Sequence, residues 1–398
     1  MAKGLEDTCF YNYNRLVSLN EVGGDPGRFG ISPDQLHRWN IERAARFPHA
    51  LTPLSTHDTK RSEDVRARIN VLSEVPDRWF QALERWNELN QRHKRQIDDK
   101  DAPDRNEEYF FYQNLLGAWP LEDLDEEAFA AFRDRIRDYM AKSIREAKVH
   151  SSWQNPDPEY DEAIDHFVLA VLDRVGNQAF LDDFLAFQRF VSHHGMINSL
   201  AQTLLKIGSP GVPDTYQGTE LWDFSLVDPD NRRPVDYDRR SSMLKDLMSR
   251  QGNPAELVRE LVASAGDGRI KLYTHWRALA ARLEVPGLFS TGEYRPLSAR
   301  GKHDSSLFGF LRTEGSRAAV VAVPRLTTRL DIADRFPLGP ATWQDTEMEL
   351  AGLAEGRKLR NVFTGASVAA SASADNEATI IKASDLFADF PVALLLGE

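Results

Sequence analysis

The chain has 398 residues, 41% hydrophobic and 28% charged, long enough for two or three hydrophobic cores and polar enough for a soluble globular protein. Its net charge of −12 repels polyphosphate and argues against nucleic acid as a partner, and no apolar run reaches the roughly 20 residues that cross a bilayer. A single cysteine, Cys9, excludes an internal disulfide and a cysteine-based metal site; with no apolar signal-like stretch in Met1 to Asp7, it points to the reducing cytoplasm.

The first 60 residues do not read as helix, because Gly, Pro, Asn and Asp crowd them, as in Asn20 to Gly27. Such loops are where scaffolds place binding groups. The apolar stretch Ala50 to Thr56 reads as a short buried strand, weakened by Pro53, that delivers His57 and Asp58 at its C-terminal end. From residue 62 the period becomes helical: Val65, Ile69 and Leu72 share a face, then Trp79, Leu83 and Trp86 after Pro76. The charged run from Asn90 to Arg105 reads as an exposed connection.

Phe129, Phe132, Ile136, Tyr139 and Met140 predict a further amphipathic helix, as do Ile164, Phe167, Val168, Val171 and Leu172. The helical pattern from Phe180 to Ile207 is interrupted at Gly195. A second loop-rich block follows from Gly208 to Asp236, then helices near Pro254 and at Leu272, Trp276, Leu279 and Leu283. Beyond residue 290, Ser306 to Arg312 and Ala318 to Pro324 flank Glu314-Gly315-Ser316 as a hairpin, with further strands at Thr379 to Lys382 and Pro391 to Leu396. The low-complexity stretch Ala366 to Ala374 reads as a loop, and the C-terminus as a small all-β domain.

Three clusters can carry chemistry. In Ser55 to Arg61, a carboxylate sits beside an imidazole and two cations; a carboxylate can stabilise charge at an anomeric carbon and accept hydrogen bonds from sugar hydroxyls. The competing reading makes Asp58 a cap for the helix that starts near residue 62. A metal hydrolase would need more ligands at recognisable spacing, and His193-His194 does not provide them, so neither metal nor cofactor is expected. In Asp228 to Pro234, bidentate groups on a proline-stiffened loop can read sugar hydroxyls, or Asp–Arg pairs can simply hold a structural turn. Lys3 to Thr8 is the third cluster and is weak alone.

Together these segments resemble maltooligosyl trehalose synthases. The resemblance is carried by Met1 to Tyr11, by Ser18 to Pro26, by Ser55 to Arg61 with Glu63 to Arg68, and by Pro210 to Glu220 with Leu226 to Asp236. Cys9 stands where that family more often has a small residue. The resemblance implies an α/β plus all-β chain: about the last three strands of an amylase-type (β/α)8 barrel, with a helical insertion and a C-terminal β-sandwich. The implied division is 1–61 for a barrel part, 62–190 for the insertion, 191–288 for the remaining barrel part and 289–398 for the β domain.

It further implies that Asp58 stabilises the transition state while His57 orients the same sugar. Lys3, Asn20, Glu21, Arg61, Glu220, Asp230 and Arg232 are the expected substrate contacts. The implied reaction is intramolecular transglycosylation of the reducing-end α-1,4 linkage of a maltooligosaccharide or α-1,4-glucan to α,α-1,1. The family's nucleophilic Asp and acid/base Glu belong to earlier barrel strands. Glu6, Asp7, Glu21 and Asp25 carry nothing that marks them as replacements. The chain alone is therefore expected to be inactive and to need a missing N-terminal barrel half, or to pair with a second copy. The rival readings are a non-catalytic oligosaccharide-binding fragment and, less favoured, a glucan hydrolase.

Overall fold

The computed structural model describes residues 2–373 and 378–397, with the side chains of Ala2 and Lys3 outside that description. The longer helices in chain order are α1 (Ala2–Cys9), α2 (Pro33–Arg46), α3 (Glu63–Val71), α4 (Pro76–Asn90), α5 (Arg105–Ala118), α6 (Glu126–Ala147), α7 (Pro158–Val171), α8 (Gln178–Gly208), α9 (Tyr237–Ser249), α10 (Pro254–Ala263) and α11 (Arg269–Glu284), and short ones follow at Pro286–Ser290, Gly339–Trp343 and Ala383–Leu386. The first strands are β1 (Leu51–Thr52), β2 (Arg95–Ile97), β3 (Lys100–Ala102), β4 (Val212–Pro213), β5 (Glu293–Pro296), β6 (Ala299–Arg300) and β7 (Leu307–Glu314). They are followed by β8 (Arg317–Pro324), β9 (Glu347–Glu349), β10 (Lys358–Asn361), β11 (Ser367–Ala369), β12 (Ser371–Ala372), β13 (Thr379–Lys382) and β14 (Ala393–Gly397). The fold is thus mixed helix and sheet. No helix among the described residues is long and apolar enough to cross a membrane.

By contact the chain divides into two units, each assembled from separated segments: 1–29, 57–195 and 224–233 in unit 1, and 30–56, 196–223 and 234–398 in unit 2. Residues 62–190 are therefore joined in unit 1 by an N-terminal stretch and by the loop around Asp230. The core of unit 1 is aromatic: Trp79, Trp86, Phe110, Phe111, Phe167, Phe180 and Phe184 are buried within it. At its centre α3 packs closely on two neighbours. A Cβ on Gly117 of α5 would meet Val65 at 2.6 Å, and one on Gly195 of α8 would meet Arg68 at 2.5 Å. Arg68 is fully enclosed; its guanidinium donates to the carbonyls of Gly117 and Trp119 and stacks 3.5 Å from the Phe224 ring. Burial lowers its pKa to about 9 despite nearby Asp64.

In unit 2, β1 and β4 pair in parallel, Leu51 opposite Val212 and Thr52 opposite Pro213. The C-terminal strands form a six-stranded antiparallel sheet in the order β11-β10-β14-β8-β7-β5 and a four-stranded one in the order β12-β13-β9-β6. Met348 of β9 lies where a Cβ on Gly309 of β7 would stand, so the two sheets face each other over a shared core.

Five expectations need correction. The strand within Ala50 to Thr56 is only Leu51–Thr52 and is not buried, Leu51 being 67% exposed. The first 60 residues hold two helices. Ser32 caps α2 by accepting from Gln35 N, and Pro33 occupies the first turn, where its missing N–H costs nothing. The helical pattern is not interrupted at Gly195: α8 runs through it, because a glycine is what lets Arg68 of α3 lie against the helix. The run from Asn90 to Arg105 contains the β2–β3 hairpin, turned by Asp98 and Asp99 at φ 48° and 61°. Within that run Lys94 is enclosed against Glu108 at 2.8 Å. Finally, residues 366–373 contribute β11 and β12 to the two sheets, while Ala374 lies outside the described residues.

Candidate active site

The residues around Asp58 belong to unit 1 and sit in the loop leading into α3, whose tight seat between Gly117 and Gly195 fixes where the loop ends. The cap position of α3 is Ser62, so Asp58 is not its N-cap. Asp58 keeps 29% of its side chain exposed, and its Oδ1 accepts from Lys60 Nζ at 2.9 Å. The same ammonium reaches the Asp58 carbonyl at 3.1 Å, approaches Asp7 Oδ1 of α1 at 3.6 Å and lies 5.5 Å over the Phe10 ring. One buried cation thus ties together two carboxylates from the loop and α1. An aligned carboxylate that stays partly open can accept hydrogen bonds from a hydroxylated ligand.

His57 is exposed, and its carbonyl accepts from Asn231 Nδ2 at 3.2 Å and from Arg232 Nη2 at 3.4 Å. The Asp58 loop and the loop after Pro229 therefore meet. Arg232 is half open and pairs with Asp228 at 3.2 Å. Asp230 is mostly enclosed: it accepts from Arg135 Nε at 3.0 Å and Leu226 N at 2.7 Å, and pairs with Arg233 at 3.1 Å. Such Asp–Arg pairs are what a structural turn requires. A cleft of about 390 Å³ opens between this loop and α6, lined by Arg135, Asp138, Lys142, Asp228 and Arg233 among others.

Behind Asp58 the remaining residues brace the loops. The Glu21 carboxylate accepts from the backbone N–H groups of Lys60 at 2.8 and 3.0 Å and from that of Arg61 at 3.4 Å. Asn20 is buried and donates to the carbonyls of Phe10 and Tyr13, both at 2.9 Å. Arg61 is fully buried: Nε donates to Asn114 at 2.7 Å, Nη2 to the Tyr139 hydroxyl at 3.2 Å and Nη1 to the Asn20 carbonyl at 3.4 Å. Burial raises the pKa of the Tyr139 phenol, and the Arg61 guanidinium beside it pulls the other way. Glu220 belongs to unit 2, where it pairs with Arg240 at 3.1 Å with 29% of its side chain open. The side chain of Lys3 lies outside the described residues.

Lys60 and Asp7 are the site residues that sequence reasoning passed over. Both lie inside the clusters it singled out. Their meeting depends on α1, which the glycine-rich N-terminal texture hides.

No family model matches the chain. A search of curated proteins finds two strains' copies of a Mycobacterium tuberculosis relative, 38% identical over 397 residues, whose own assignment as a maltooligosyl trehalose synthase is provisional. The match covers 100% of this chain and 44% of the relative. Among solved structures, the maltooligosyltrehalose synthase from Arthrobacter ramosus is 35% identical with a TM-score of 0.80, covering 100% of this chain and 45% of that one. A DSM5389 glycosyltrehalose synthase is 32% identical with a TM-score of 0.73, covering 100% and 44%. Over its whole length, then, this chain is similar to somewhat less than half of a maltooligosyl trehalose synthase.

Proposed function

We propose that the chain is the C-terminal part of a maltooligosyl trehalose synthase, in which Asp58 stabilises the transition state at a glucosyl anomeric carbon and His57 orients that sugar. The observation that carries this reading is the Asp58 carboxylate, 29% exposed and steadied at 2.9 Å by a buried lysine. The reaction is an intramolecular transfer, an isomerisation of the glucan. A nucleophilic carboxylate attacks the terminal α-1,4 bond, the released glucose stays bound, and its anomeric hydroxyl then displaces the carboxylate to form the α,α-1,1 bond. Water must lose to that glucose, which holding it against the reacting carbon achieves through effective molarity.

Arg232 and Glu220, whose side chains remain partly open, are assigned to direct substrate contacts with Lys3. Asn20, Glu21, Arg61 and Asp230 act by shaping the wall from which Asp58 projects. The parallel pairing of β1 and β4 supports reading them as barrel strands 7 and 8, and the facing antiparallel sheets support a C-terminal β-sandwich. The four-part division at 61/62, 190/191 and 288/289 follows from the same reading. The single cysteine fits a cytoplasmic setting.

Retaining chemistry needs a nucleophile and an acid/base about 5–5.5 Å apart. Both are assigned to polypeptide that precedes the matched segment, so this chain by itself binds glucan without turning it over. Purified chain mixed with maltopentaose tests this. Saturable binding without turnover is expected, weakened roughly tenfold (about 1.4 kcal/mol) by Asp58→Asn. Release of reducing glucose would indicate a hydrolase, and absence of binding would remove the sugar assignment. A second reading, a barrel half that assembles with another polypeptide or a second copy, is favoured by the openness of Leu51 (67%) and Val212 (39%) at the parallel pair. Under that reading non-reducing product appears only when a polypeptide with the two remaining carboxylates is added.

A further inference from the structure

Within unit 1, one side-chain ligand atom each from Asp104, Glu107 and His150 lie within 4.8 Å of one another. Asp104 and Glu107 form the capping box that starts α5, and His150 comes from the segment after α6. His150 Nε2 lies 3.0 Å from Asp104 Oδ2, and its ring stacks on Tyr160 with centroids 4.3 Å apart. The Tyr160 hydroxyl donates to the Glu107 carboxylate.

The capping box accounts for Asp104 Oδ1 and Glu107 Oε2, which bond backbone N–H groups. It does not account for the imidazole, nor for Glu107 Oε1, which is sealed from solvent with no hydrogen-bond partner in a residue only 8% exposed. A buried carboxylate oxygen left without a partner costs on the order of 1–3 kcal/mol. Two acids face one imidazole, and among the described residues neither acid is paired with a lysine or arginine.

We propose that Asp104, Glu107 and His150 form a binding site for a divalent ion of the zinc type, which ties the start of α5 to the segment after α6. Two carboxylates and one imidazole suit zinc, whereas magnesium and calcium prefer all-oxygen shells. Ligand atoms around a tetrahedral zinc lie roughly 3.3 Å apart, so the cluster contracts on binding and the His150–Asp104 hydrogen bond gives way to shared coordination. Asp104 and His150 keep 38% and 27% of their side chains exposed, which leaves the ion a path from solvent.

The test uses the full chain after chelation, titrated with Zn²⁺ by calorimetry and with Co²⁺ by visible absorption. One saturable site with cobalt d–d bands is expected. Its affinity falls at least tenfold in His150→Gln and in Asp104→Asn, a change that preserves the N-cap. His303→Gln, elsewhere on the chain, leaves it unchanged. Circular dichroism of each variant separates lost binding from lost folding, and Glu107→Gln, of the same shape, serves if either variant unfolds. The absence of saturable binding, or equal affinity in folded His150 and Asp104 variants, would overturn the proposal.

Discussion

His194 shows how a single buried side chain writes a pH dependence into the molecule. Burial, with His193 and Arg78 nearby, lowers its pKa to about 3 from an ordinary value near 6.5. The unfolded chain therefore binds a proton that the folded chain refuses. The stability this neutral imidazole permits is fully present above pH 6.5 and is lost as the pH falls below it. At pH 5.5 the loss from this residue amounts to about 1.4 kcal/mol. His275, whose pKa burial also holds well below its ordinary value, acts in the same direction. Urea denaturation between pH 7.5 and 5.5 should show the parent losing stability faster than His194→Gln; parallel pH curves would mean that the imidazole is solvated or protonated in the folded chain. The same residue-scale view separates Asp58 from Arg61: both are charged and three positions apart, yet one is partly open and the other spends its guanidinium on internal partners. Sequence chemistry marks both as polar and cannot tell them apart, because burial is a property of the packed chain.

Among the elements, α3 links packing to the candidate site. It has no room on either side, with Gly117 against Val65 and Gly195 against Arg68, and the Asp58 loop runs directly into it. Gly195→Ala pits a helix-propensity gain of about 1 kcal/mol against a Cβ placed 2.5 Å from Arg68 Cγ and 3.0 Å from its Cα. The Arg68 backbone cannot move without shifting α3, so a net loss of about 1–3 kcal/mol is expected from chemical denaturation, and under the proposed function the displaced loop would also weaken glucan binding. A stabilised variant would show that α3 and α8 can slide apart freely. Elsewhere the amphipathic periods of α4, α6 and α7 were legible in the sequence, since each buries one stripe of large apolar residues. The two helices hidden in the first 60 residues were not. Ser32-Pro33 is a sound helix start, but the glycines and prolines around it outweigh it when only local composition is read.

For the molecule as a whole, the unusual feature is apolar surface in unit 2. Ile31, Trp39, Ile41, Phe47 and Leu51 are all exposed, from 43% to 67%, within one short stretch of chain. Single exposed apolar residues are ordinary, but several in one short stretch leave apolar surface open to solvent. The native chain is expected to bind a hydrophobic dye such as ANS, and Trp39→Gln with Phe47→Ser to reduce that fluorescence at least twofold. Unchanged fluorescence in the folded double variant would place the accessible apolar surface elsewhere. By itself the sequence determined the helical stripes, the C-terminal hairpin and the His57-Asp58 cluster, because periodicity and side-chain chemistry are local and survive in a linear reading. Only the tertiary structure decided that Lys60 bridges Asp58 to Asp7, that Arg61 and Asn20 face inward, and that Asp104, Glu107 and His150 meet. Each of those depends on which distant segments pack together, and that is set by long-range burial, which no local window of sequence contains.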